Sequence, residues 1–140
     1  MAHQRRLRPV AVALVATVAF VLATTKVTSS DTWVHLSLGR WITKHWRVPT
    51  RNVLSFTEPN RPTVDHQWLF QLALYGVDHA GGIPFAIVVK ALLVAGAFGL
   101  ACASALGGRA RPGVALVVVV LAACAARFRF TLRPQVVSFL

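Results

Sequence analysis

Residues 83–106 read IPFAIVVKALLVAGAFGLACASAL, and this stretch decides the fold. Lys90 is the one charged side chain within it. A helix needs about 20 predominantly apolar residues to cross the hydrocarbon core of a bilayer. The stretch therefore predicts a membrane-spanning α-helix.

Two further apolar runs predict additional spans. Residues 9–25 reach the lower limit of about 17 residues for a crossing helix. They also fit a cleaved signal peptide, because arginines precede them and Val21-Leu22-Ala23 could serve as a cleavage site. We favour a retained span because more spans follow. Residues 113–126 are shorter and rich in Val and Ala, and they predict a third transmembrane helix.

The end of the chain predicts the beginning of a fourth span. Residues 135–140 are mostly apolar and have no terminating charge. The expected fold is thus an all-α integral membrane protein with three transmembrane helices and the start of a fourth. We expect the chain to be a fragment of a longer membrane protein.

The composition agrees with a membrane protein and argues against nucleic-acid binding. The chain is 56% hydrophobic and 14% charged, with a formal net charge of +11. Its basic residues stand mostly at the ends of the apolar runs, where they act as topology signals and contact lipid headgroups. Membrane lipid, and not nucleic acid, is the partner that this distribution predicts.

The arginines also predict an orientation. Three precede the first span within residues 1–8, and two lie in the turn at 107–112. Because short cytoplasmic segments are enriched in Lys and Arg, both segments are assigned to the cytoplasm. The chain is then a multi-pass protein of the plasma (inner) membrane, with residues 26–82 external and 127–140 forming an external turn that leads into the next span.

The external loop contains all four carboxylates, all four tryptophans and four of the five histidines. Residues 31–46 predict an amphipathic helix lying in the membrane interface. Its apolar arc is formed by Val34, Leu38, Trp41, Ile42 and Trp46. Residues 65–80 predict a second helix, apolar except for a polar stripe of Gln67, Gln71 and Asp78, and therefore buried.

Between these helices the sequence predicts a hairpin or an extended loop. Alternating side chains at 53–57 indicate a short strand. Glu58-Pro59-Asn60 is typical of a turn, with proline at its favoured second position.

Two sets of residues have more than one interpretation. Asp31 and His35 share a helix face and could hold a divalent metal with a partner from 65–66. The favoured alternative is that Asp31 caps the helix and His35 is interfacial. Lys90 either extends its amine to the interface or faces inward as a cation for a phosphate or carboxylate.

An ordered series of short motifs resembles the N-terminal part of bacterial polytopic membrane proteins similar to GT-C glycosyltransferases. The matching elements, in chain order, are Asp31-Thr-Trp33-Val-His35, Gly39-Arg40, Pro49, Ser55-Phe56-Thr57, His66-Gln67-Trp68-Leu69 and Arg133-Pro134-Gln135. The common pattern there is D-x-W-W-H-x-x-x-G, P-x-x-D-x-F-S-F-T, H-E-W-L and R-P-Q.

The resemblance implies transfer of a sugar from a polyprenyl-phosphate carrier to an acceptor on the outer face. By motif position Asp31 is then the general base, since the acceptor hydroxyl must lose a proton as the glycosidic bond forms. The remaining candidate residues would bind substrate, the cations by holding phosphate. They are His35, Arg40, His66, Gln67, Lys90 and Arg133.

Two alternatives remain open beside a transferase. The family's loop acids are replaced here by Asn52 and Gln67, which favours a non-catalytic membrane protein whose loop binds lipid headgroups or a partner subunit. A transporter fragment would instead use Lys90 to line its pathway. We expect the isolated chain to be inactive as an enzyme, because a GT-C-like transferase needs many further spans.

Overall fold

The computed structural model describes residues 2–27, 29–58, 61–108 and 111–134, with side chains from Arg8 onward. The all-α prediction is confirmed for these residues, which form helices and connecting loops. The helices are α1 (Ala2–Ala23), α2 (Ser30–His45), α3 (Trp68–Gly107) and α4 (Pro112–Ala126), followed by a single 3-10 turn at Arg127–Arg129.

The chain divides into two compact units. The helical unit comprises residues 1–26 and 87–140, so it contains α1, α4 and most of the second half of α3. The loop unit comprises residues 27–86, with α2, the extended loop after it and the first half of α3.

Two helices are long and apolar enough to cross a membrane. They are Trp68–Gly107 and Pro112–Arg129, the latter including the 3-10 turn. The first predicted span is helical, but its apolar part, Arg8–Ala23, is shorter than either of these two helices. The predicted beginning of a fourth span, at 135–140, lies outside the described residues.

The helical unit is held together by small side chains that let its helices approach closely. One buried cluster joins Ala19 and Ala23 of α1 to Ala91, Val94 and Phe130. A second contains Val15, Cys102, Leu106, Ala115 and Val119. Both clusters draw on α1 and α3, so these helices form the centre of the unit.

The opposite faces of these helices are apolar and exposed. On α4, Val114, Val117, Val118 and Leu121 each expose more than half of their surface. A continuous apolar face of this kind on a soluble monomer would mark a contact surface. Here it is the face that a lipid environment would cover.

α2 in the loop unit agrees closely with its predicted bounds, and the face that it buries within the protein differs from the apolar arc predicted for the membrane interface. Its buried residues are Thr32, His35, Leu36, Gly39 and Ile42. Of the predicted apolar arc, Val34 and Trp46 are exposed and Ile42 is buried. The arc was predicted to face the membrane interface, and its exposure within the protein leaves that prediction standing, while the face that packs within the protein contains Gly39.

Gly39 marks this close approach. A Cβ atom at this position would lie 2.7 Å from Tyr75 Cβ and 2.9 Å from the backbone carbonyl carbon of Gln71. The hydrogen at glycine therefore allows α2 to pack directly on the backbone of α3. The contact determines where the following turns of α3 lie within the loop unit.

The segment between α2 and α3 is an extended loop, and the short strand predicted at 53–57 does not form. Arg51 and Pro62 make an isolated antiparallel bridge. Asn52 N donates to Arg61 O at 2.9 Å, and Thr63 N donates to Thr50 O at 3.0 Å. These two bonds make a neck at the base of the loop. The tip of the predicted turn, 59–60, lies outside the described residues.

The predicted helix at 65–80 begins at Trp68 and continues through a kink into the long apolar stretch. Gly82 has φ of 71° at the kink, a backbone conformation that glycine adopts at no steric cost. Pro84 follows directly within the helix. The helix that begins at Trp68 is therefore interrupted at Gly82, and a second helix follows it, as the Gly81-Gly82 pair before Pro84 predicts.

Candidate functional site

A cavity of about 360 Å³ lies within the loop unit. Its walls are largely apolar, with Val34, Leu38, Val53, Leu54 and Val64 among the lining residues. Its polar lining residues are His35, Arg51, Asn52, Thr63, Asp65, His66, Gln67 and Gln71. A concave apolar site with a few convergent polar groups is the usual form of a small-molecule site.

Asp65 is the one carboxylate of this lining, and one of its two oxygens is already occupied. Oδ1 accepts hydrogen bonds from the backbone N–H of Gln67 and from Nε2 of Gln71, each at 3.0 Å. Oδ2 is buried and has no hydrogen-bond partner among the described residues. Because an unsatisfied buried polar group costs free energy, this oxygen marks a place where a donor is favoured.

Gln71 is a polar residue of the loop unit and is only 2% exposed. Its Nε2 donates to the carboxylate of Asp65, which sets the orientation of the amide, since the reversed amide would place two acceptors against each other. Its Oε1 is buried and likewise lacks a partner among the described residues. Gly39 packs against the backbone of this same residue.

His35 is held in the buried face of α2. Its ring meets the ring of Phe70 edge-on, with centroids 5.4 Å apart and planes at 88°. The side chain is 9% exposed and lines the cavity. It thus presents a ring to the cavity whose position is fixed by aromatic packing.

The neck of the extended loop positions the opposite part of the lining. Asn52 Oδ1 accepts from the backbone N–H groups of Leu54 and Ser55, at 3.2 and 3.0 Å. This side-chain turn explains why 53–57 leaves the strand conformation. Arg51 and Thr63, at the neck itself, both line the cavity.

The structure brings together three of the predicted substrate-binding residues. His35, His66 and Gln67 line the cavity. Asp31 and Arg40 are exposed on α2 and are not among the lining residues, although Asp31 lies one helical turn before His35.

Lys90 and Arg133 belong to the helical unit. Lys90 is only 2% exposed there, so its amine does not extend to solvent. Nζ donates to Phe130 O at 2.9 Å, Thr25 Oγ1 at 3.2 Å and Thr25 O at 3.4 Å. Its three donors are therefore directed at the protein itself.

The motifs assigned no substrate-binding role to Asp65, Arg51 or Asn52, and Gln71 was predicted only as part of a buried polar stripe. Asp65 and Gln71 are separated by six residues across the start of α3, a spacing that no helical repeat connects. A motif of the form Asp-x5-Gln at a helix start carries little information by itself. The hydrogen bond between these two side chains could therefore not be predicted from the sequence.

Among the described residues, no group of three or more His, Cys, Asp or Glu side chains is placed to hold a metal ion. The divalent-metal site considered for Asp31, His35 and a partner from 65–66 thus has no assembled ligand set in this part of the chain. No family model, curated protein or solved structure matches the chain.

Proposed function

We propose that this chain is the N-terminal part of a GT-C-like membrane glycosyltransferase, whose loop unit binds the sugar of a polyprenyl-phosphate carrier outside the cell. The observation that carries the proposal is the cavity of the loop unit, which combines apolar walls with a hydrogen-bonded carboxylate–amide pair. In this proposal the three spans are α1, the second half of α3, and α4 with its 3-10 turn.

The surface of the helical unit supports membrane insertion. Val118 on α4 is 57% exposed, and Leu100 on α3 is 66% exposed. Exposing such side chains to water costs about 25 cal/mol per Å² of apolar surface. Lipid tails remove that cost.

The lining of the cavity favours a ligand that contains both hydroxyl groups and an anionic group. Sugar rings have apolar C–H faces, which pack on walls such as Val34 and Leu38, and hydroxyl groups, which need acceptors such as Asp65. Arg51 is an exposed member of the lining and can pair with a phosphate in a bidentate way.

Asp31 remains the proposed general base by its motif position. It is exposed in the first turn of α2, one turn before His35. It lies outside the cavity lining, so its role as base requires an acceptor hydroxyl that sits beyond the cavity. The proton of that hydroxyl would pass to Asp31 as the bond to the anomeric carbon forms and the polyprenyl phosphate leaves.

Carrier binding tests the proposal on the chain as it stands. The purified chain in detergent would be titrated with undecaprenyl-phosphate hexose and examined by native mass spectrometry. We expect a one-to-one adduct that survives activation longer than the adduct with free undecaprenol. Equal retention of the two lipids would contradict carrier recognition.

Activity is tested in membranes that contain a longer protein beginning with this chain. We expect transfer of radiolabelled hexose from the carrier to endogenous acceptors, with a loss of at least a hundredfold for Asp31→Asn. A fully active Asp31→Asn protein would exclude Asp31 as the base, and absence of any transfer would favour the non-catalytic alternative.

The non-catalytic alternative, a loop that binds headgroups or a partner subunit, is favoured by one observation. Asn52 stands where the family pattern has an acid, and here its side chain is engaged in the turn with Leu54 and Ser55. Because the Asn52 side chain holds this turn, it does not take part in catalysis.

A further inference from the structure

We propose that Asp65 Oδ2 and Gln71 Oε1 form a pair of hydrogen-bond acceptors that binds hydroxyl groups of an uncharged sugar ring. The inference rests on the proposed function for its choice of sugar, and it names the part of the substrate that enters the cavity. It assigns recognition to a carboxylate that the motif resemblance leaves without a role.

The pair is defined by one hydrogen bond with an unused acceptor on each side. Gln71 Nε2 donates to Asp65 Oδ1 at 3.0 Å, so the two side chains are in direct contact. The backbone N–H of Gln67 donates to the same Oδ1, also at 3.0 Å. Asp65 Oδ2 and Gln71 Oε1 are both buried and without a partner among the described residues.

The orientation of each group is fixed by the protein. The carboxylate is held by two donors at one oxygen, which leaves the other directed elsewhere. The amide cannot reverse without placing its oxygen against the carboxylate. The helix contact at Gly39 packs directly on the backbone of Gln71, which limits the movement of this part of α3. The acceptors are thus organised before a ligand arrives.

Two acceptors on side chains that contact each other select the chemistry of the ligand. A phosphate or carboxylate also offers acceptors, so it would be repelled at this position. A hydroxyl group donates one hydrogen bond, and neighbouring hydroxyls on a sugar ring donate two in nearby directions. The cavity volume of about 360 Å³ lies near the lower end of the usual range for small-molecule sites and suits a single ring.

The positions of charged and neutral residues in the lining also favour a neutral sugar ring at the acceptor pair. Arg51, the arginine of the lining, is exposed, whereas Gln71 is buried. A phosphate would therefore be bound near solvent and the neutral ring deeper in the cavity. The apolar lining, including Leu38 and Val64, suits the C–H surfaces of the ring better than it suits a fully solvated ammonium ion.

Binding of simple glycosides to the purified chain in detergent tests the pair. The probes are the methyl glycosides of glucose, mannose and galactose, with glucosamine and glucose 1-phosphate as charged comparisons. Ligand-observed NMR would give the affinities. We expect at least one neutral glycoside to bind, and Asp65→Asn to weaken it at least tenfold, because the substitution puts an amide donor where an acceptor is needed.

The matched control is Glu58→Gln, which removes one negative charge from the exposed loop of the same unit. We expect its affinity to stay within twofold of the wild-type value. Gln71→Met, close in size but without the amide, is a second test of the pair, and we expect it to weaken binding at least fivefold. Far-UV circular dichroism and gel filtration would show that each variant folds.

The outcomes separate this inference from the proposed function. Failure of all three neutral glycosides to bind, preference for glucosamine, or unchanged affinity in folded Asp65→Asn would overturn the acceptor pair. Carrier-dependent transfer with unaltered rates in Asp65→Asn would leave the transferase standing without it. Glycoside binding that depends on Asp65, without any transfer, would keep the pair and reject the transferase.

Discussion

The side-chain nitrogen of Lys90 donates a hydrogen bond of 2.9 Å to the backbone carbonyl of Phe130. The same nitrogen reaches both oxygens of Thr25, just after the end of α1. One amine thus joins α3 to the end of α1 and to the residue that follows the 3-10 turn. These acceptors lie at chain positions where helices have ended and backbone groups lack intrahelical partners.

Lys90→Met should destabilise the helical unit. The variant keeps an aliphatic chain of similar length but leaves the carbonyls of Phe130 and Thr25 without this donor. We expect a loss of about 1–3 kcal/mol in the free energy of unfolding. Unfolding by SDS titration in mixed micelles, followed by circular dichroism, measures it. Lys44→Met, at an exposed position of α2, is the control and should unfold like the wild type.

Gly39→Ala should weaken the packing of α2 on α3. The added methyl group would lie 2.7 Å from Tyr75 Cβ, well inside van der Waals contact. We expect a destabilisation of about 1–3 kcal/mol, typical of overpacking, measured as a lower midpoint of thermal unfolding.

Gly76→Ala provides the matched control for that change. A Cβ at this helical position would meet no atom within 4 Å. The substitution should therefore stabilise the helix by about 0.5–1 kcal/mol. If the two alanine variants unfold at the same midpoint, the close approach at Gly39 is not a determinant of stability.

Val118→Lys should impair membrane insertion even though its side chain is 57% exposed. A lysine near the centre of a span costs about 2.5–3.5 kcal/mol, whereas in water an exposed lysine is harmless. Alkaline carbonate extraction of membranes would show the fraction inserted. Ser37→Lys, exposed on α2, should insert normally. Equal extraction of both variants would indicate that α4 faces water.

Cysteine labelling in intact cells tests the orientation. Phe56 is fully exposed in the extended loop, and Arg111 is exposed just before α4. In a Cys124→Ala background, a membrane-impermeant maleimide should label Phe56→Cys from outside and Arg111→Cys only after lysis. The native Cys102 is buried and should stay unlabelled. The reverse pattern would place the loop unit in the cytoplasm.

Hydropathy and spacing located the helices but not the surfaces on which they pack. The apolar helix over 83–106 and the helix at 31–46 follow from apolar length and helical period, which are local properties. The buried face of α2 depends on Gly39 meeting the backbone at Gln71, a contact between residues distant in sequence. The strand expected at 53–57 was lost because the side chain of Asn52 supplies turn hydrogen bonds that compete with pairing.

The residues that line the cavity could be predicted only in part from the sequence. His35, His66 and Gln67 come from motifs, and they do share one cavity. Sequence patterns indicated Asp65 only as a metal ligand. Its place in the cavity depends on the hydrogen bond to Gln71 across the start of α3, which no pattern predicts. Such a pair has no period and no signature; it becomes visible when the backbone has placed both side chains.

The neck of the extended loop, closed by the bonds from Asn52 to Arg61 and from Thr63 to Thr50, has a consequence for how this protein could change over time. Because the two closing bonds use backbone atoms, mutations at 55–58 leave Arg51 and Thr63 in place at the base, whereas Val53 and Leu54 are part of both the segment and the cavity lining. Insertions there are tolerated cheaply, since loop-closure entropy rises slowly with length. A lineage could therefore lengthen this segment and change its outer surface while keeping the lining residues Arg51 and Thr63 at its base.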